Sequence, residues 1–304
     1  MRALLTGLCT AAAAGRFVSA MDLCDNLSMC VRSLIAWVVA VWVMLSGLPR
    51  GAARAETVVD LELVLAVDVS LSMDLEEQRL QRDGYVAAFR DPEVWAAIRS
   101  GPTGRIAVTY VEWAGVITQN TIVPWRLIDG PEAARALADE LAAQAITRAR
   151  FTSISGALQY ALGEFGRSRF RGARRVIDVS GDGPNNSGPP VESVRDMTVA
   201  QGIVINGLPI QIRYGGPNSL FDLPDLDAYY AACVIGGPGS FSIPVRERSQ
   251  FASTIRQKLI LEIAGLAPEK PARLIRADER TKPEPYDCLI GEKMWRRYMQ
   301  GGDR

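Results

Sequence analysis

The sequence has no histidine among its 304 residues. That absence excludes Ser-His-Asp and Cys-His catalysis and every histidine-based metal site. Lysine is scarce as well: the first is Lys258, and nearly all of the 34 basic residues are arginine, a bias that reads as genome composition and not as a binding patch. Aromatic residues make up 7% and no internal repeat is present, while 48% of residues are apolar, the composition of an ordinary globular protein with one large or two average domains. No apolar run reaches the ~20 residues that a bilayer span needs.

The longest such run, Leu34–Leu48, follows Arg32 and precedes Pro49 and Ala53-Arg54-Ala55, a small-x-small cleavage signal. Residues 1–55 therefore read as an over-long start, with Met21 and Met29 as internal alternatives, joined to a secretory signal peptide. Export to the periplasm or the medium is expected, with no stable membrane span after cleavage. This segment holds five of the 34 basic residues (Arg2, Arg16, Arg32, Arg50, Arg54) and two of the 34 acidic ones (Asp22, Asp25), which leaves 29 against 32, a net charge of −3. Such a balance attracts neither nucleic acid nor an anionic membrane. It also removes three of five cysteines. Cys233 and Cys288 remain, and in an exported chain two cysteines most simply form one disulfide.

What is present after residue 55 alternates between strand and helix patterns. Within Leu61–Ser72, Leu63–Val67 is an unbroken apolar run rich in branched residues, typical of a strand buried on both faces, and it ends at Asp68. Asp74–Phe89 and Pro92–Arg99 read as helices, Arg105–Trp113 as a strand, and Asn120–Ile128 as a strand that Pro124 demotes to an edge, antiparallel to its predecessor. Glu132–Gln144 is an alanine-rich helix, and Thr152 opens an amphipathic one that runs to Phe165. Arg174–Ser180 is a second buried strand, with Asp178 in its middle expected to pair with an arginine. Helix Val191–Gln201, strand Ile203–Ile212, helix Asp225–Cys233, a short last strand Phe241–Val245 and helix Arg248–Leu266 complete the pattern. Residues 56–266 thus form one domain. Residues 267–304 form a polar, proline-punctuated tail tied down through Cys288. Alternation of this kind predicts an α/β fold: a doubly wound, mostly parallel sheet with helices on both faces and one antiparallel edge strand.

In such sheets ligands sit beyond the carboxyl ends of the strands, where the strand order reverses. Two buried strands end at acids: the first in Asp68-Val-Ser70-Leu-Ser72, the second in Ser180-Gly-Asp182-Gly. Asp68 and Asp182 are expected to be neighbours. One carboxylate and two hydroxyls at alternate positions suit a hard divalent ion, magnesium first and manganese or calcium next, and are poor ligands for zinc or copper. The same residues without a metal would be helix caps and turn formers.

Asp68-x-Ser70-x-Ser72 after a buried strand, Thr152 in Thr-x-Ile-x-x-Ala-Leu, and Asp182-Gly183 after a later strand together resemble the von Willebrand factor type A domain with its metal-ion-dependent adhesion site. The resemblance covers roughly Val58–Leu266 and is similar to an uncharacterised secreted bacterial branch of that family. It implies that Ser70, Ser72 and Thr152 offer hydroxyl oxygens to the ion, with Asp68 and Asp182 acting directly or through water. It also implies binding without catalysis: a protein partner would bring an acidic side chain to the metal. The chain departs from the pattern at Gly181, where threonine often precedes the aspartate. A second resemblance is to haloacid dehalogenase-like magnesium-dependent phosphatases, with Asp68 as nucleophile and Gly181-Asp182-Gly-Pro-Asn185-Asn186 as the later motif. Ser70 stands there in place of the acid-base aspartate. The runs at Gly215-Gly-Pro217 and Gly236-Gly-Pro-Gly239 read as turns, and Trp95, Trp113 and Trp125 as packing residues.

Overall fold

The computed structural model describes residues 56–212, 222–266, 268 and 286–301. The expected over-long start and signal peptide at 1–55, the Gly215 turn and the first part of the tail lie outside the described residues. Among these residues no helix is long and apolar enough to cross a membrane.

Five strands form one sheet. They are β1 (Thr57–Asp68), β2 (Ile106–Trp113), β3 (Gln119–Ile128), β4 (Phe170–Gly181) and β5 (Val204–Pro209), in the order β3-β2-β1-β4-β5. All neighbours run parallel except β2 and β3, which are antiparallel. Residues alternate between two faces of the central strand. Leu61, Leu63, Leu65 and Val67 join a core with Tyr85 and Phe89 of α1 (Leu75–Arg90), Ile98 of α2 (Pro92–Arg99), Leu137 of α3 (Pro131–Ala142) and Leu259 of α7 (Phe251–Ala264). Val64 and Ala66 face the opposite core, with Leu158 of α4 (Ile154–Arg167), Val194 of α5 (Val191–Ala200) and Tyr229 of α6 (Leu226–Tyr229). Burying a side chain of this size is worth ~1.5–3 kcal/mol, so β1 is held from both sides and its tip is a fixed platform.

The antiparallel edge forms as the sequence predicts. Val108 pairs with Arg126 and Tyr110 with Val123, so Pro124 and Trp125 together face Thr109 in a bulge. The imide without an N–H is thereby kept off the ladder. The expected strand at Phe241–Val245 is not one. The chain runs beside β5 and bonds it from Gly207 N to Phe241 O (3.0 Å), Ile243 N to Gly207 O (3.1 Å), Val245 N to Pro209 O (2.9 Å) and Gln211 N to Val245 O (2.7 Å). The bond that Pro209 would donate is missing, since proline has no N–H, and the ladder falls into two isolated bridges.

Two further expectations change. The helix expected at Asp225–Cys233 is α6 followed by a π-helical turn, Tyr230–Val234. Asp178 is buried and paired, but with Lys258 Nζ at 2.6 Å and not with an arginine. Beyond the tail's undescribed part, α8 (Ile290–Gly301) packs on the domain, and Cys233 is joined to Cys288 with Cα atoms 5.5 Å apart.

Candidate metal centre

Asp68 ends β1, whose neighbours are β2 on one side and β4 on the other. The next strand in the chain goes to one side and β4 to the other, so the tip of β1 lies at the reversal of strand order. Register places Val67 opposite Ser180, which carries Asp182 to the same edge across 113 intervening residues. The two acids are joined through hydroxyls. Ser70 Oγ lies 2.7 Å from Ser72 Oγ, and Ser72 Oγ donates to Asp182 Oδ1 at 2.7 Å.

Asp68 is fully buried. Its Oδ1 accepts from Ser70 N at 2.7 Å, whereas its Oδ2 is buried with no hydrogen-bond partner among the described residues. A carboxylate oxygen in that position costs several kcal/mol unless something neutralises it. Burial pushes the Asp68 carboxyl up to about 7, with only partial relief from the Ser70 amide and hydroxyl and from the Asp182 amide. Asp182 is raised well above the usual carboxylate range by loss of hydration and then by the Asp68 charge beside it. Two adjoining acids of this kind ionise together only when a cation shares their space. The donor set fits a hard divalent ion. Among the described residues no group of three His, Cys, Asp or Glu side chains could hold a metal, so an ion here relies on hydroxyls beside the two acids.

Thr152 completes the set. It is 3% exposed and lines the same cleft as Ser70 and Ser72. Its amide donates to Asn186 Oδ1 at 2.9 Å, its carbonyl accepts from Asn186 N at 2.9 Å, and its hydroxyl makes no hydrogen bond among the described residues. Ser153 caps α4 by accepting from Gly156 N at 3.1 Å, which fixes Thr152 just ahead of the helix. The structure therefore brings together all five residues singled out in the sequence.

The supports were less visible. The loop after β1 is stitched to 149 by Leu71 N to Ala149 O (2.9 Å) and Ala149 N to Val69 O (3.0 Å), and Gln78 and Gln81 of α1 donate to the Ser70 and Asp68 carbonyls at 3.2 Å each. Asn185 Oδ1 accepts from Ser155 N and Oγ at 3.1 Å each, tying the loop after Asp182 to α4. The only sequence signal for these braces was the Pro-Asn-Asn run that follows Asp182. Gly181 explains the departure from the threonine pattern. A Cβ there would sit 2.9 Å from Asp68 Oδ2 and 3.0 Å from the Tyr230 hydroxyl, so Tyr230, delivered by the π-helical turn, fills the space a side chain at 181 would need.

The phosphatase resemblance gains no support. Lys258 is bound to Asp178 and Glu262, and the Ser70 hydroxyl lies against Ser72.

The family model described as "Protein of unknown function (DUF1194)" matches residues 58–267. The chain belongs to the DUF1194 family. No curated protein matches the sequence. Among solved structures, this DUF1194 domain is similar to proximal thread matrix protein 1 from the mussel byssus, at 14% identity and a TM-score of 0.50 over 69% of this chain and 49% of that one. A second form of the mussel protein, described as having a zinc-occupied MIDAS motif, gives 14% identity and a TM-score of 0.48 over the same shares. A von Willebrand factor type A protein from Catenulispora acidiphila gives 14% identity and a TM-score of 0.44 over 67% of this chain and 43% of that one. The DUF1194 chain spans about half the length of these relatives. At this identity the likeness to the mussel protein shows the fold alone, a mostly parallel α/β sheet with helices on both faces and one antiparallel edge strand.

Proposed function

We propose that this protein is an exported binding module that engages a protein partner through a divalent cation held by Asp68, Ser70, Ser72, Thr152 and Asp182. The observation that carries the reading is the buried Asp68 Oδ2, without a hydrogen-bond partner among the described residues, in a carboxylate whose other oxygen takes the Ser70 amide and so meets the Ser70–Ser72–Asp182 hydroxyl chain. Two carboxylates balance the ion's charge and the three hydroxyls leave it electrophilic, so it supplies an open position for a carboxylate oxygen from the partner. Magnesium suits an octahedral oxygen set of this size, with manganese or calcium as substitutes.

This chain's own residues orient and do not react. Asp68 is fixed by the Ser70 amide, Ser72 is fixed by Asp182, and Thr152 is fixed by Asn186. None of the five can accept a proton from a nucleophile when both acids are engaged, and the sequence offers no histidine to do so. The reading is therefore binding and not catalysis.

Titration of the purified protein with magnesium and with manganese tests it. One equivalent is expected to bind wild type, and Asp68→Ala is expected to lose that binding while keeping its fold by circular dichroism. Equal affinity in the variant would end the assignment.

A further inference from the structure

The cleft that holds Ser70, Ser72 and Thr152 is larger than an ion needs, about 820 Å³, and its far wall is α8. Residues 58–267 match the family model, and this wall lies outside them. It is firmly attached. Gly291 packs on the loop after Asp182 so closely that a Cβ would meet the Asn185 carbonyl. Glu292 Oε1 accepts from Asn185 Nδ2 at 2.8 Å, and Cys288 anchors the start of the helix to Cys233.

The lining is apolar beside the hydroxyls. Leu71, Phe151, Met294, Trp295, Tyr298 and Met299 contribute, and Leu71, Phe151, Tyr298 and Met299 are 42%, 43%, 52% and 59% exposed. Phe151 has φ +70°, the left-handed region that a bulky residue adopts only at a cost of order 1–3 kcal/mol. That conformation sets its ring edge-on to Trp295 at 5.1 Å, immediately before Thr152, and Trp295 in turn lies 5.6 Å from Tyr298. Arg148 and Arg150 also line the cleft, and among the described residues that line it there is no acidic side chain. Aromatic, methionine and arginine side chains around one recess are the composition of a protein-binding hot spot.

We propose that α8, latched by the Cys233–Cys288 disulfide, is the specificity wall of this cleft, and that the cleft takes a protein segment presenting an acidic residue next to a bulky apolar one. The acid faces the cation site and the two arginines, and the apolar neighbour packs against the aromatic wall that Phe151, Trp295 and Tyr298 form together. This rests on the adhesion reading above for the acid and is independent of it for the apolar neighbour.

Panning a random dodecapeptide library on the purified protein, in magnesium and in chelator, tests it. Binders selected in magnesium are expected to share an Asp or Glu within two residues of Trp, Phe, Leu or Met. Trp295→Ala and the milder Tyr298→Ser are each expected to weaken the selected peptide at least tenfold and to leave manganese affinity, read by electron paramagnetic resonance, within twofold. Binders with an acid and no apolar preference, unchanged peptide affinity in both variants, or no binders at all would overturn the wall. Peptides that keep the apolar preference but bind equally in chelator would uphold the wall and overturn the metal reading.

Discussion

Two groups of acids gather at the central strands, and they are solved differently. Asp178, in the middle of β4, and Glu262, in α7, share Lys258, whose ammonium is 2.6 Å from Asp178 Oδ1, while Asn206 donates to Glu262 Oε1 at 3.0 Å. Four residues further along β4's direction, Asp182 adjoins Asp68 with only hydroxyls between them and an oxygen left unbonded. Among the described residues the protein supplies its own cation to the first group and none to the second. A buried charge without a partner is one of the costliest features a fold can carry. Its presence at the carboxyl edge of the sheet, where a solvent-reached cleft opens, is the contrast on which the proposed cation site rests.

The contrast breaks most severely at Lys258. Lys258→Met strands Asp178 and Glu262 and is expected to destabilise the protein by about 3–5 kcal/mol, the usual cost of removing one member of a buried pair. Urea denaturation measures this. Cys288→Ser comes next, with a loss of about 4 kcal/mol expected from releasing a 55-residue loop on the chain-entropy model, together with loosening of α8 visible as faster amide exchange in 290–301.

Asp68→Asn gives the opposite sign. In chelator it removes one of two facing acids, so thermal denaturation is expected to show stability equal to or above wild type, by up to about 1–2 kcal/mol on the scale of one buried uncompensated charge. Magnesium, which is expected to stabilise wild type, should leave this variant unchanged. A variant that is destabilised in chelator would mean that the Asp68 carboxylate is structural, like Asp178.

A further effect is with pH. Asp68 and Glu262 are both held up to about 7 in the folded protein, above their ordinary values of 3.8 and 4.5, chiefly by burial. An acid whose folded pKa is raised binds more protons folded than unfolded, so its stabilisation is complete below about pH 4 and is lost as pH rises through about 7. Metal-free protein should therefore lose stability across pH 4–7. Metal affinity should rise over the same window, since its ligands must ionise, and magnesium should cancel the part of the loss that belongs to Asp68 and leave the part that belongs to Glu262.

Much of this was legible in the sequence. β1 and β4 are apolar runs ending at acids, and their burial on both faces follows from having no polar alternation. The nearness of Asp68 and Asp182 followed from the topology rule for doubly wound sheets, and the edge role of β3 from Pro124. Partners set by long-range contact were not legible. Nothing in the Arg174–Ser180 segment says that Lys258, eighty residues on, rather than one of many arginines, will reach Asp178. The interrupted ladder at Phe241–Val245 depends on Pro209 in a different strand. The apolar residues of α8 recur at helical spacing, but the charged, proline-punctuated stretch before it gives no sign of where the helix docks, and Asn185 and Glu292 become braces only once it is seated. Phe151 gave no signal, because its left-handed backbone is imposed by the loop stitched to β1.

Crystals soaked in manganese and measured at the metal's absorption edge test the central claim most directly. One anomalous peak bounded by Asp68, Ser70, Ser72, Thr152 and Asp182 is predicted, and no second peak near Lys258. An empty map between the two aspartates at saturating manganese, in protein that is otherwise folded as described, would contradict it.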